Sequence, residues 1–243
     1  MAEVSERRPG FGAAVLGALA SAARGLEAFS FPQRCAGCGV PADPDSLLCP
    51  ECLASIPRLS MPLCVRCLER EREPVGCLRH PGFTVWPAWV YEERAALVVE
   101  ALKFRERPGL AQRLGAELGR VVPAEPAPDL VLEVPLHPSR HRERGYNQAA
   151  LLADALSSQV AVPRLEGALE RVRPTRPQVR LGSGSRRSNV AGAFRARRPG
   201  WLEGRKVLIV DDVMTTGATL HACLEVLAAS GARAAGVVLA WAQ

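Results

Sequence analysis

Apolar positions along the chain recur with two periods, and these predict an alternation of strands and helices. Val207, Leu208, Ile209 and Val210 form a wholly apolar run, the pattern of a strand buried on both faces of a parallel sheet. Leu220, Cys223, Leu224 and Leu227 then recur at helical spacing, and Gly231 is placed to end that helix. Val237 to Ala240 is a second apolar run, so the unit reads strand, loop, helix, strand. Upstream, Trp86, Ala88 and Val90 alternate toward Tyr91 as a strand does. Leu97, Val98, Ala101 and Leu102 mark one helix face, and Leu110, Leu114 and Leu118 mark another. Pro123 to Pro128 reads as a loop, Leu130 to Val134 as a strand, and Ala149 to Leu156 as a helix. The fold class is α/β. Near the N-terminus, Phe11, Val15, Leu16, Leu19, Leu26 and Phe29 suggest a helix docked on the body over residues 11–29.

The polar residues after the 207–210 run carry the chemistry. Asp211 and Asp212 stand at the carboxyl end of the predicted strand, where open α/β sheets bind ligands. Thr215, Thr216, Gly217, Ala218 and Thr219 lead into the helix. A glycine-containing turn entering a helix presents free backbone N–H groups and the positive end of the helix dipole, a phosphate site. Carboxylates beside it would repel the same phosphate. They suit neutral sugar hydroxyls or a divalent cation with oxygen ligands. Together they ask for a phosphorylated sugar. The alternative is a tight turn whose Asp and Thr only cap the helix.

Composition adds a second module. The chain has 243 residues with 48% hydrophobic content, enough for one substantial core and a smaller unit. Of its eight cysteines, seven fall between residues 35 and 77. Cys35, Cys38, Cys49 and Cys52 make one set of paired Cys-x-x-Cys spacing, and Cys64, Cys67, Cys77 and His80 make another. Four soft ligands clasped from tight turns suit tetrahedral Zn²⁺ in closed, structural sites. The segment has few large apolar residues, so the metal would supply its folding energy. Disulfides, an iron–sulfur cluster, ligation across the two sets and a surface role for His80 are the competing readings.

Charge bears on partners. A net charge of +6 fits an anionic one. Arg140, His141, Arg142, Arg144, Gly145, Tyr146, Asn147 and Gln148 follow the 130–134 strand as a basic loop at the ligand-binding edge, suited to pyrophosphate. Residues 171–198 hold nine arginines (Arg171, Arg173, Arg176, Arg180, Arg186, Arg187, Arg195, Arg197 and Arg198) and no Asp or Glu. With Gly and Ser at 182–185 they read as a mobile positive flap over phosphate, or as a track for a nucleic-acid backbone. Lys103, alone at the end of a helix, reads as a solvated cation facing the helix C-terminus.

The 207–220 stretch resembles the loop of type I phosphoribosyltransferases that binds 5-phosphoribosyl-1-pyrophosphate (PRPP). The resemblance implies ribose contacts from Asp211 and Asp212 and 5′-phosphate contacts from Thr215, Thr216, Gly217, Ala218 and Thr219. The order of the cysteine-rich start, Tyr91, Lys103-Phe104, Arg144 to Gln148, Asn189-Val190, Gly192-Ala193-Phe194 and this loop is similar to the ComF family (ComFC/GntX-like) across about residues 31–241. That resemblance implies a type I phosphoribosyltransferase-like parallel sheet flanked by helices, preceded by a small Cys-rich zinc-binding module. The expected division is an N-terminal extension (1–30), a Cys-rich double zinc module (31–84) and a phosphoribosyltransferase-like domain (85–243). The resemblance also implies Mg²⁺ with PRPP, single-stranded DNA and a competence helicase-like protein as partners, and a role in natural competence. The alternative is a catalytically active phosphoribosyltransferase in nucleotide or related metabolism. Arg142, Arg144, Gly145, Tyr146 and Asn147 would serve the pyrophosphate side; no residue is singled out as a general base. Arg7, Arg8 and Ala20-Ser21-Ala22 imitate a signal peptide, yet a PRPP site needs cytoplasmic metabolites. The expected location is therefore the cytoplasm, with membrane association through a partner.

Overall fold

The structure is a computed structural model that describes residues 33–42, 47–69, 77–104, 109–173, 190 and 192–243. The helix expected at 11–29, Asn189, and the arginines at 176, 180, 186 and 187 lie outside the described residues.

In chain order the elements are α1 (Pro50–Ser55), β1 (Leu63–Cys64), β2 (Thr84–Val90), α2 (Glu93–Phe104), α3 (Leu110–Gly119), β3 (Leu130–Glu133), α4 (Pro138–Arg144) and α5 (Gln148–Val160). After them come β4 (Leu169–Arg171), β5 (Phe194–Ala196), a 3₁₀ turn at Pro199–Trp201, β6 (Lys206–Met214), α6 (Ala218–Ala229) and β7 (Arg233–Trp241). The main sheet has the order β1-β2-β7-β6-β3. Its β2, β7, β6 and β3 ladders are parallel, and only β1 joins antiparallel. Strands β4 and β5 form a separate antiparallel pair. The pattern of alternating apolar runs thus gives the α/β architecture it predicts.

Successive residues of β6 feed opposite faces of the sheet. Leu208 and Val210 join one apolar cluster with Val98 and Leu102 of α2, Leu114 and Leu118 of α3, and Leu152 and Leu156 of α5. Val207 and Ile209 join the other, with Leu220, Cys223, Leu224 and Leu227 of α6. Each fully buried Leu contributes roughly 1.5–3 kcal/mol. Helices α3 and α5 press together where α3 has no side chain: a Cβ on Gly115 would lie 2.5 Å from the Ala155 Cβ.

Two expectations need correcting. The central strand does not stop at Val210 but runs to Met214, so Asp211 and Asp212 lie inside it, Asp211 opposite Val238. The reason is that β7 is also nine residues long, and its apolar end through Trp241 keeps offering ladder partners. The basic stretch after β3 is a helix, not an open loop. Pro138 sits in its first turn, the His137 ring accepts from the Ser139 N–H at 3.3 Å, and Gly145 closes it at φ 79°.

Candidate functional site

The chain leaves β6 at the carboxyl edge of the sheet and turns through Thr215, Thr216 and Gly217 into α6. Gly217 is forced by two constraints. Its φ of +71° is left-handed, and a Cβ there would meet the Val65 Cγ2 at 2.5 Å and the Val65 carbonyl oxygen at 2.8 Å. Gly217 is also the cap residue of α6 and brings no side-chain hydrogen bond to the helix start. The first amides of α6 therefore face a cleft lined by Asp211, Thr215, Gly217, Ala218 and Thr219. The Thr216 Oγ1 is buried without a hydrogen-bond partner. Amide donors at the positive end of a twelve-residue helix suit an anion.

The two aspartates go to opposite sides of β6. Asp212 is buried, 4% exposed, and its Oδ2 lies 2.7 Å from the Lys103 Nζ at the end of α2. Lys103 is thus not the solvated cation expected of it: the helix carries it to the site, where it neutralises a buried carboxylate. Asp211 is on the α6 side, where its charge acts on Cys223 and Arg171. Burial, reinforced by the negative charge of Asp212, pushes the Asp211 carboxyl up to about 8.

Strand β3 lies beside β6, and the Val134 N–H donates to the Val210 carbonyl at 2.9 Å. Helix α4 therefore starts next to the aspartates, at the same edge of the sheet. Arg142 is exposed on it. The Arg144 guanidinium lies 4.7 Å from the Phe104 ring centre and donates to the Gln148 Oε1 at 2.8 Å. Tyr146 and Asn147 hold the frame. The Tyr146 hydroxyl donates to the Leu102 carbonyl, and Asn147 both donates to the Val134 carbonyl (3.1 Å) and caps α5 through the Ala149 N–H (3.0 Å). Gly145 supplies the left-handed turn between the two helices.

The cysteine-rich segment gathers into two clusters, Cys35/Cys38/Cys49/Cys52 and Cys64/Cys67/Cys77/His80, whose ligand atoms lie within 4.8 Å of one another. None of the eight cysteines is joined in a disulfide, an arrangement that favours metal ligation over disulfides. A tetrahedral zinc with sulfur at ~2.3 Å spaces its ligand atoms ~3.8 Å apart. Cys38 and Cys49 sulfurs are 3.8 Å apart, and Cys67 and Cys77 are 3.9 Å apart. The His80 Nδ1 lies 3.6 Å from the Cys64 sulfur and 3.7 Å from that of Cys77, so His80 is part of the cluster and not a surface histidine. Burial works against a Cys35 thiolate, yet amide hydrogen bonds from Cys49, Cys38 and Gly37 outweigh it and hold the thiol down to about 6. Both clusters could hold a metal ion. The first docks on α2, where Arg94 donates to the Gly37 carbonyl at 2.6 Å, and near α3, where Arg58 pairs with buried Glu117 at 2.7 Å.

Sequence reasoning missed Lys103 as a site residue and Val65 as the wall behind Gly217. For Lys103, nothing in the sequence pairs it with Asp212, which follows several elements later. For Val65, no sequence signal links residue 65 to residue 217. Among the described residues no helix is long and apolar enough to cross a membrane.

Known proteins resemble this chain over most of its length. A family model of the phosphoribosyl transferase domain matches residues 147–243. The chain is 32% identical over 204 residues to DNA utilization protein YhgH of Escherichia coli, covering 82% of this chain and 85% of that protein. It is 41% identical over 95 residues to Competence protein F of Haemophilus influenzae, covering 39% of this chain and 42% of that one. It is 30% identical over 92 residues to Competence protein ComFC of Bacillus subtilis, covering 38% and 35% respectively.

Proposed function

The chain belongs to the ComF family, phosphoribosyltransferase-fold proteins with an N-terminal cysteine module, and on that premise we propose that it binds PRPP with Mg²⁺ and handles single-stranded DNA during uptake or use of DNA. The observation that carries the first half is the open start of α6 behind Gly217, with Asp211 in the same cleft. In this reading the amides from Thr215 to Thr219, with the Thr hydroxyls, hold the 5′-phosphate. Asp211, which lines the cleft, receives ribose hydroxyls, and Asp212, paired with Lys103 on the other face of β6, fixes the strand behind it. Arg142 and Arg144 on α4 meet the pyrophosphate, on a frame set by Gly145, Tyr146 and Asn147. Bound Mg²⁺ would neutralise the pyrophosphate charge. Each cysteine cluster holds one structural Zn²⁺, two per chain.

The DNA half rests on what the relatives are called and on one surface feature. Trp201 is 57% exposed, and the Arg198 guanidinium stacks 4.7 Å from its ring centre. An exposed aromatic beside arginines is a platform for unpaired bases. A cytoplasmic location follows from the metabolite the site asks for.

A catalytic role is favoured by one observation, the Asp211 carboxyl at about 8. A carboxyl that ionises near neutral pH beside a phosphate turn is suited to take a proton from an acceptor. In that case the reaction displaces pyrophosphate from the ribose C1, and the protein contributes orientation and charge stabilisation.

Titration calorimetry with PRPP and Mg²⁺ tests the reading. Heat with the wild type, abolished in an Asp211→Ala/Asp212→Ala double variant that keeps its melting temperature, is the expected result. No heat with the wild type removes both the binding and the catalytic readings.

A further inference from the structure

Two cysteine clusters of similar ligand chemistry stand on different sides of the sheet, and only the second runs into the phosphate turn. Cys35 and Cys52 pack in the cluster shared with α2 and α3. Val65, between the metal-binding candidates Cys64 and Cys67, packs in the other cluster with Met214, Ala218 and Leu220. It is 1% exposed, and it is the side chain and carbonyl that a Cβ on Gly217 would strike. Its own N–H donates to the Phe83 carbonyl at 2.8 Å. The Phe83 ring in turn stacks on His221 of α6, with centroids 4.8 Å apart and planes 15° from parallel. The His221 N–H donates to the Gly217 carbonyl at 2.8 Å. The knuckle at residues 64–67 therefore touches the turn from behind and touches the first turn of α6 through Phe83.

We propose that the Cys64/Cys67/Cys77/His80 cluster is a metal-dependent brace: ion occupancy there, and not in the first cluster, sets the shape of the turn at 215–219 and hence its affinity for PRPP. This rests on the reading of that turn as the PRPP site. The physical case is short. Glycine has little intrinsic preference for one backbone shape, so Gly217 is held at its left-handed φ by what surrounds it. What surrounds it is Val65. The position of Val65 is set by the knuckle, whose turn is clasped between Cys64 and Cys67 by the ion that the four ligands would hold. Remove the ion and the wall behind the turn moves. The amides then lose the convergence that an anion site needs.

The test uses the full chain and PRPP with Mg²⁺ in calorimetry, metal counted per chain by mass spectrometry, and amide hydrogen exchange at residues 215–219 without ligand. A Cys77→Ser/His80→Ala variant should lose one ion, speed exchange over 215–219 and weaken PRPP binding by about tenfold or more, as loss of preorganisation does. A Cys38→Ser/Cys49→Ser variant should also lose one ion, yet leave exchange at 215–219 and PRPP affinity as in the wild type. Val65→Ala keeps both ions and should weaken PRPP about threefold to tenfold while speeding the same exchange, the scale of one lost packing contact. It also serves if the second-cluster variant fails to fold. Wild-type exchange and affinity in the ion-depleted second-cluster variant, or in Val65→Ala, overturn the brace. If the wild type itself binds no PRPP, the PRPP reading fails, and the exchange data alone still decide whether the brace exists.

Discussion

At the scale of the residue, the site turns on where charge is buried. Lys103 and Asp212 face each other at 2.7 Å with side-chain exposures of 19% and 6%. Removing the cation strands a buried carboxylate, so Lys103→Ala should lower stability by about 3 kcal/mol. Adding Asp212→Asn should restore most of it, since the stranded charge is gone; thermal melts of the single and double variants check this. Asp211 makes the opposite prediction about pH. Its carboxyl keeps a proton up to about 8 in the folded chain, against an ordinary value of 3.8. Between those values the folded state holds more protons than the unfolded one, so this group's contribution falls as pH rises. It is fully present below the lower value and lost once pH passes the upper one. Melting temperature of ligand-free protein should drop across that window, and Asp211→Asn should flatten the drop. PRPP affinity should rise over the same range if the ligand requires the carboxylate. The acid pair was legible from two adjacent Asp after an apolar run. Its partner was not, because Lys103 and Asp212 are joined only by the packing of α2 on the sheet.

At the scale of the element, periodicity carried most of the information and boundaries the least. The stripe at Leu220, Cys223, Leu224 and Leu227 announced α6, and the apolar run at 207–210 announced β6. The extension of β6 to Met214 was hidden, because Asp residues are poor strand formers until a neighbour such as β7 supplies the ladder. The basic stretch concealed a helix for a related reason: α4 has no buried residue, so no apolar stripe marks it. Gly115 is the element-scale feature with a measurable consequence. It follows Leu114 in the apolar stripe of α3, and it is the point where α3 meets the Ala155 backbone and side chain of α5. Gly115→Ala gains helix propensity of up to about 1 kcal/mol. Overpacking, 2.5 Å from the Ala155 Cβ and 2.8 Å from its backbone carbonyl carbon, should outweigh it by about 1–3 kcal/mol. Chemical denaturation should therefore show net destabilisation, where an exposed helical glycine would give the reverse.

At the scale of the whole molecule, the parts sort by function around one sheet edge. The turn at 215–217, the aspartates, Lys103 and α4 share the carboxyl edge, and the second cysteine cluster abuts the turn through Val65. Spacing alone identified the cysteine sets, since tight turns fix ligand geometry locally; their attachment to opposite sides of the sheet needed the tertiary structure. The proposed DNA surface is the least local feature of all. Trp201 and Arg198 sit three residues apart beyond β5, and only their stacking and exposure distinguish them from ordinary loop residues. The two side chains should contribute in separable ways. If Arg198 neutralises phosphate as proposed, Arg198→Ala should weaken single-stranded DNA binding and lower the steepness of its salt dependence by about one phosphate contact. If Trp201 stacks on a base as proposed, Trp201→Ala should cost about 1–3 kcal/mol while leaving the salt dependence unchanged. Fluorescence anisotropy with an unstructured oligonucleotide across a salt series reads both quantities at once. If both variants bind like the wild type, the DNA path does not cross this face of the molecule. If both change only the salt slope, the tryptophan is a bystander to an electrostatic track.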